Sequence, residues 1–205
     1  MDKSTNEHIA ILAYGSLIWE PGEEIKQHII AVVDCITPFN VEYAQRSYKS
    51  RGGAPTLTKI SGIGNKTRAK LLVLDYHNTI EGKKKVYSLI CQRENTPKKE
   101  WNDEAEPPKP IYITNLEDYD SVFYCAFKGE PENTITSENL VNWAKESVIA
   151  CNKEGKIENN GVRYLINCYK NGVVTPLTEE YIQKLGGTNV EEIEKRILKE
   201  EENDR

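Results

Sequence analysis

The chain reads as an α+β protein, a small mixed, barrel-like sheet followed by a C-terminal helical layer. Three observations predict it. Short strand-like runs crowd the stretch before residue 130, helical periodicity dominates beyond it, and no regular strand–helix alternation of a doubly wound fold links the two. With 205 residues, 38% of them apolar, the chain can fill one core. A domain of that size buries about 70% of the surface its unfolded form exposes.

His8 to Tyr14 is a short apolar segment entering a glycine turn, the pattern of an interior strand. Pro21-Gly22 then breaks the chain. Ile29 to Val33 and Val41 to Tyr48 are strand-like, the second partly alternating. Arg51-Gly52-Gly53-Ala54-Pro55 suits no element interior and forms a shaped loop. Ala69 to Tyr76 is nearly continuous in branched and aliphatic residues, as a central strand covered on both faces would be. Over Lys84 to Glu94 the period changes. Val86, Leu89, Ile90 and Arg93 recur at helical intervals, predicting a helix that carries Arg93 and Glu94 to the core side in its last turn and closes at Pro97. Pro97 to Pro110, rich in Pro, Glu, Asp and Lys, is a loop long enough for a lid or an insertion. Ile111 to Ile113 and Ser121 to Phe127 are further strands, the latter near an edge.

The remainder is helical. Leu140, Trp143, Ala144, Ser147, Val148 and Cys151 form one face, with Thr136 or Ser137 as cap. Val162 to Tyr169 is a shorter helix ending at Asn171-Gly172. Thr175-Pro176 starts another, a capping hydroxyl followed by proline at the first helical position, which stops at Gly186-Gly187. The charged tail from Glu191 to Arg205 is expected to fray.

Charge and cysteine usage exclude several classes. The 27 basic and 32 acidic residues leave a net charge of -5, and the positive ones are scattered. No basic stripe interleaved with aromatics appears, which argues against a nucleic-acid partner. Lys83 to Lys85 reads as a solvated helix edge or a phosphate contact. The five cysteines stand far apart, without Cys-x-x-Cys spacing, which argues against a disulfide framework, redox exchange or zinc. The start is neither signal peptide nor membrane span, so a reducing cytoplasm is the expected location. The three histidines, His8, His28 and His77, lie at no metal-ligand spacing, and no metal is expected.

Three segments can carry chemistry. In Tyr14-Gly15-Ser16-Leu17, the glycine allows close approach to the backbone. Consecutive N–H groups at such a turn form an anion-binding concavity, to which Ser16 adds a hydroxyl. Neither phosphate-loop fingerprint is present, so a carboxylate-sized anion fits better than a dinucleotide. The alternative is a strand end with a tight turn. Arg46 and Arg51 offer bidentate forks for a carboxylate, with Gly52 and Gly53 permitting close approach; the alternative is a hairpin with surface arginines. Glu94, on the inward side of a helix end, would be partly desolvated, which raises a carboxyl above its reference of about 4.3 toward the range of a general base. Its neighbour Arg93 opposes that shift if turned toward it, and the alternative is a solvated helix end paired with Lys98. Asp75, after the strongest strand, reads as catalytic or as a capping or turn residue.

In order, Tyr14-Gly15-Ser16-Leu17-Ile18-Trp19 with Pro21, Arg46-Ser47, Arg51-Gly52-Gly53-Ala54-Pro55-Thr56, the strand Lys70 to Tyr76, and Arg93-Glu94 resemble the γ-glutamylcyclotransferase superfamily, most closely its ChaC-like, glutathione-specific branch. The resemblance covers roughly Ile9 to Asn95. It implies a small β-barrel of that family's type with flanking helices, placed over residues 8–130; the helical pattern beyond, not the resemblance, predicts an extension over 131–205 packed on the same core. The resemblance also implies an enzyme without cofactor, of lyase or acyltransferase type. Such an enzyme converts a γ-glutamyl compound, glutathione in that branch, into 5-oxoproline and a released amine or peptide. Carried onto this chain, Tyr14, Gly15, Ser16 and Leu17 hold the γ-glutamyl group, Glu94 transfers the proton, and Arg46, Arg51 and Gly52 help bind. Two alternatives stay open: a cyclotransferase for other γ-glutamyl amines, and a catalytically silent binding or interaction module. Monomer and homodimer stay equally open.

Overall fold

The computed structural model describes residues 7–101, 106–126 and 135–203. Residues 102–105 of the expected lid loop, Phe127, and the tail positions 204 and 205 lie outside them. The described residues form a mixed α+β structure with seven strands and seven α-helices. The chain divides into two compact units, Met1–Pro38 with Arg68–Lys128, and Phe39–Thr67 with Gly129–Arg205.

The first unit is built on a five-stranded sheet. Its strands are β1 (His8–Ala13), β2 (Ile29–Ile36), β5 (Arg68–His77), β6 (Ile111–Leu116) and β7 (Tyr119–Cys125), in the spatial order β2-β5-β1-β7-β6. All neighbours are antiparallel except β1 and β7, which run parallel. The strongest strand expectation, Ala69 to Tyr76, falls in β5. Leu71, Leu72, Val73 and Leu74 are all buried there, so both of its faces are covered. The barrel expected from the resemblance is not found: among the described strands the sheet is open, with β2 and β6 as unpaired ends. β7 lies near an edge without being the edge strand. Its parallel pairing of Ala10 with Val122 seats it between β1 and β6, and β6 takes the outer place.

Two helices serve this unit, the short α1 (Glu23–Lys26) and α3 (Ile80–Arg93). Thr79 caps α3, its hydroxyl accepting from the Gly82 amide at 3.1 Å, which sets the start four residues before the periodicity at Lys84 suggests. Val86, Tyr87, Ile90 and Cys91 recur along one face of α3. They join Ile9, Ile11, Leu72, Leu74, Ile111 and Phe123 in one apolar cluster. Trp101 packs edge-on against Tyr87 and Phe123 at the rim of that cluster.

The second unit pairs β3 (Val41–Ser47) with β4 (Ala54–Lys59), joined by the one-turn helix α2 (Tyr48–Arg51), and adds α4 (Ser137–Lys153), α5 (Gly161–Lys170), α6 (Thr178–Lys184) and α7 (Val190–Asn203). The expected loop over Arg51 to Pro55 therefore runs into a strand not foreseen. Thr136 caps α4 by accepting from Asn139 N at 3.3 Å. Helix α6 starts later than Thr175-Pro176 predicts. The Thr175 hydroxyl donates to the buried carboxylate of Glu42 at 2.6 Å instead of capping. The tail is a helix to Asn203, not a frayed end. Ile193 and Ile197 bury one stripe, and Arg163 grips Glu194 through both carboxylate oxygens, at 2.7 and 2.9 Å.

Candidate active site

The turn after β1 is set by one backbone angle. Tyr14 is extended, Gly15 takes φ 74°, and a single 3-10 turn follows over Gly15–Ile18. That left-handed conformation is strained for a residue with a side chain and favours glycine. The amides of Trp19 and Glu20 close back on the Ser16 carbonyl at 3.2 and 2.8 Å. Leu17 is buried in the apolar cluster, and the Tyr14 hydroxyl donates to the carbonyl of Cys125, at the end of β7. The first amides of a helical turn have no carbonyl ahead of them in the turn, so those of Gly15 and Ser16 are the donors such a bend presents.

Glu94 stands at the end of α3. It is the cap residue of α3, its amide donating to Ile90 O at 2.9 Å. Asn95 then turns the chain with φ 48°, and Thr96 N returns to Cys91 O at 2.9 Å. The side chains of Arg93 and Glu94 are each 16% exposed, so the acid lies largely out of water. Arg93 links the acid to the bend. Nη1 donates to Glu94 Oε1 at 3.2 Å and Nη2 to Ser16 Oγ at 3.0 Å. Nε and Nη2 both donate to the Glu20 carbonyl, at 3.2 and 2.9 Å. The Cys125 thiol reports how close the acid is: burial raises it far above its ordinary value, and the charge of Glu94 is the next largest cause. The thiol therefore stays protonated beside the carboxylate.

Thus Tyr14, Gly15, Ser16, Leu17 and Glu94 belong to one unit, and a single guanidinium joins the serine to the acid. Arg46, Arg51 and Gly52 belong to the other unit, where each has a local partner. Arg46 donates to Gly53 O at 2.9 Å, pairs with Glu146 at 2.5 Å and lies over the rings of Tyr48 and Trp143. The Arg51 guanidinium sits 4.6 Å above the Tyr164 ring, and its carbonyl accepts from Ser147 Oγ at 2.5 Å. The missing side chain of Gly52 makes room for α4: a Cβ there would come within 2.9 Å of the Ala150 Cβ.

Two participants have roles that the sequence does not set: Arg93, expected only as a neighbour able to oppose or lock the acid, also reaches Ser16, and Cys125 lies within the field of Glu94. An arginine beside a glutamate carries no sign of where its fork points. The Ser16–Arg93 contact spans 77 positions that no local pattern connects. All five cysteines are buried and unbridged. Among the described residues no group of three or more His, Cys, Asp or Glu could hold a metal ion, and no helix is long and apolar enough to cross a membrane.

Fold and site define a class: a mixed α+β protein with a largely buried arginine–glutamate pair facing a glycine bend. No protein-family model matches the chain, and a search of curated proteins returns no match.

Proposed function

We propose that the chain is a cofactor-free γ-glutamyl cyclotransferase acting in the cytoplasm. Its small-molecule substrate carries a γ-glutamyl group, and its products are 5-oxoproline and an amine or peptide. The observation that carries this reading is the shared guanidinium of Arg93, which ties the carboxylate of Glu94 to the hydroxyl of Ser16 beside the Gly15 bend. The reading rests on that cluster and on the resemblance of its segments, not on closure of a barrel.

Cyclisation needs the α-amino nitrogen of the substrate folded onto its own γ-carbonyl carbon, with reacting atoms about 3 to 3.5 Å apart. The amides at the Gly15 bend steady the substrate carboxylate or the oxyanion that develops on the γ-carbonyl. Glu94 accepts a proton from the attacking nitrogen and delivers one to the departing amine. Arg93 holds that carboxylate in place throughout. Glu94→Gln should keep the fold and substrate binding, while 5-oxoproline release falls on the order of 10²- to 10⁴-fold. The assay is product release from a panel of γ-glutamyl compounds that includes glutathione. Comparable turnover by the purified variant removes Glu94 from the mechanism.

The same ion pair favours a second reading, a non-catalytic module for γ-glutamyl or carboxylate ligands, because Arg93 already engages the acid. Calorimetry would then show heat of binding from γ-glutamyl compounds with no 5-oxoproline formed.

A further inference from the structure

The first unit holds a second arrangement of acid–base groups that shares no residue with the Glu94 cluster. His28 immediately precedes β2, and Asp75 and Tyr76 lie near the end of β5, where Asp75 N donates to His28 O at 2.9 Å. His28 Nδ1 stands 3.0 Å from Asp75 Oδ1. An ionised carboxylate only accepts, so Nδ1 carries the hydrogen, and in the neutral ring Nε2 is left with a lone pair. That nitrogen lies 2.9 Å from the Tyr76 hydroxyl, which therefore donates to it. Hydroxyl, imidazole and carboxylate stand in the order that nucleophile, general base and orienting acid take in acyl-transfer sites built on a hydroxyl.

The surroundings suit that chemistry. The His28 and Asp75 side chains are 25% and 48% exposed, so a small electrophile reaches them from solvent. Burial, then the charge of Asp75, raises the Tyr76 phenol above its ordinary value of 10, with Lys85 opposing. Free phenolate is therefore scarce at neutral pH, and attack by this oxygen needs a base. Lys85 Nζ, 6.0 Å from the ring centroid, adds positive charge near the ring while pairing with Glu81.

We propose that Tyr76 is a covalent acceptor for activated acyl esters and thioesters, with His28 as its general base and Asp75 fixing the ring. The Tyr76 oxygen forms a bond to the acyl carbonyl carbon as its proton passes to His28 Nε2. The bond from that carbon to the aryloxide or thiolate then breaks, and the imidazolium returns the proton to the leaving group. An acyl-tyrosine ester remains, and no oxidant or cofactor enters the balance.

The test uses the full chain and p-nitrophenyl acetate, with acetyl occupancy read at each site by peptide mass spectrometry. Tyr76 should acetylate at least about tenfold faster than the exposed Tyr48 and Tyr169, a modest share of the 10²- to 10⁴-fold that a positioned base supplies. His28→Ala, and Asp75→Asn as a variant that keeps side-chain bulk, should bring Tyr76 down to the rate of Tyr48 while lysine acetylation stays unchanged. Labelling of Tyr76 no faster than Tyr48, or equally fast in both variants, overturns the assignment. The readout is separate from 5-oxoproline release, so either proposal can fail alone.

Discussion

The guanidinium of Arg93 divides its donors among the Glu94 carboxylate, the Ser16 hydroxyl and the Glu20 carbonyl, a distribution that a lysine point charge cannot reproduce. Its position fixes the acid relative to the bend and leaves the pair largely desolvated. Glu42 is a contrasting case, a buried acid held by neutral hydrogen-bond donors. Its carboxylate accepts from Thr175 Oγ1 at 2.6 Å and from Tyr43 N at 2.9 Å, yet burial outweighs those hydrogen bonds and raises its pKa above the ordinary 4.5. The folded protein thus binds this proton more tightly than the unfolded chain does. The stability that follows is fully present below the unfolded value and is lost as pH rises through the folded one. Glu42→Gln keeps an oxygen acceptor without the charge. Urea unfolding midpoints measured from pH 4 to pH 8 should fall less steeply for the variant than for the parent protein. Parallel curves would show that Glu42 does not titrate differently on folding.

At the scale of elements, what was legible in the sequence depended on how local the deciding physics is. β1, β5, α3, α4 and α5 follow from apolar periodicity and caps within their own residues. β4 was missed because Ala54 and Pro55 follow two glycines, and the strand exists through its pairing with β3, Ser47 opposite Ala54. The α6 start was misplaced because Thr175 answers Glu42, 133 positions away. The tail was expected to fray because its charge hides Ile193 and Ile197, and because Glu194 is held by Arg163 from another helix. The site divides the same way. The Gly15 bend was legible, as glycine after an apolar strand, whereas the fork of Arg93 was not. Gly52 tests the packing side of this argument. It has φ 57°, and a Cβ there would lie 2.9 Å from Ala150 Cβ and 3.2 Å from Cys151 Sγ. Gly52→Ala should therefore destabilise the protein by about 1–3 kcal/mol, through a strained backbone and an overpacked contact with α4. Thermal denaturation reads this directly, and an unchanged midpoint would mean that α4 yields freely.

For the whole molecule, the open sheet has a consequence for solubility. β2 ends the sheet, so one side of its backbone has no strand partner among the described residues. Its side chains are also poorly covered: Ile30, Val32 and Ile36 are 54%, 51% and 53% exposed. Val32 pairs in register with Leu72, which is part of the apolar cluster under α3, but is not itself a member of that cluster. A β-branched run whose outer backbone has no strand partner among the described residues is a template for further strands, and Asp34 is the one charge that interrupts Ile29–Ile36. The net charge of -5 opposes association at long range, but salt screens it within about 10 Å at 0.1 M. Val32→Lys places a charge on the exposed face without removing a buried contact. The folding free energy should stay within about 0.5 kcal/mol of the parent, as for other surface changes. Light scattering at high protein concentration and moderate salt should fall, because a lysine on an edge strand must be desolvated before another strand can pair there. Scattering that stays the same would show that β2 is not where molecules meet, and a large loss of stability would show that Val32 belongs to the core after all.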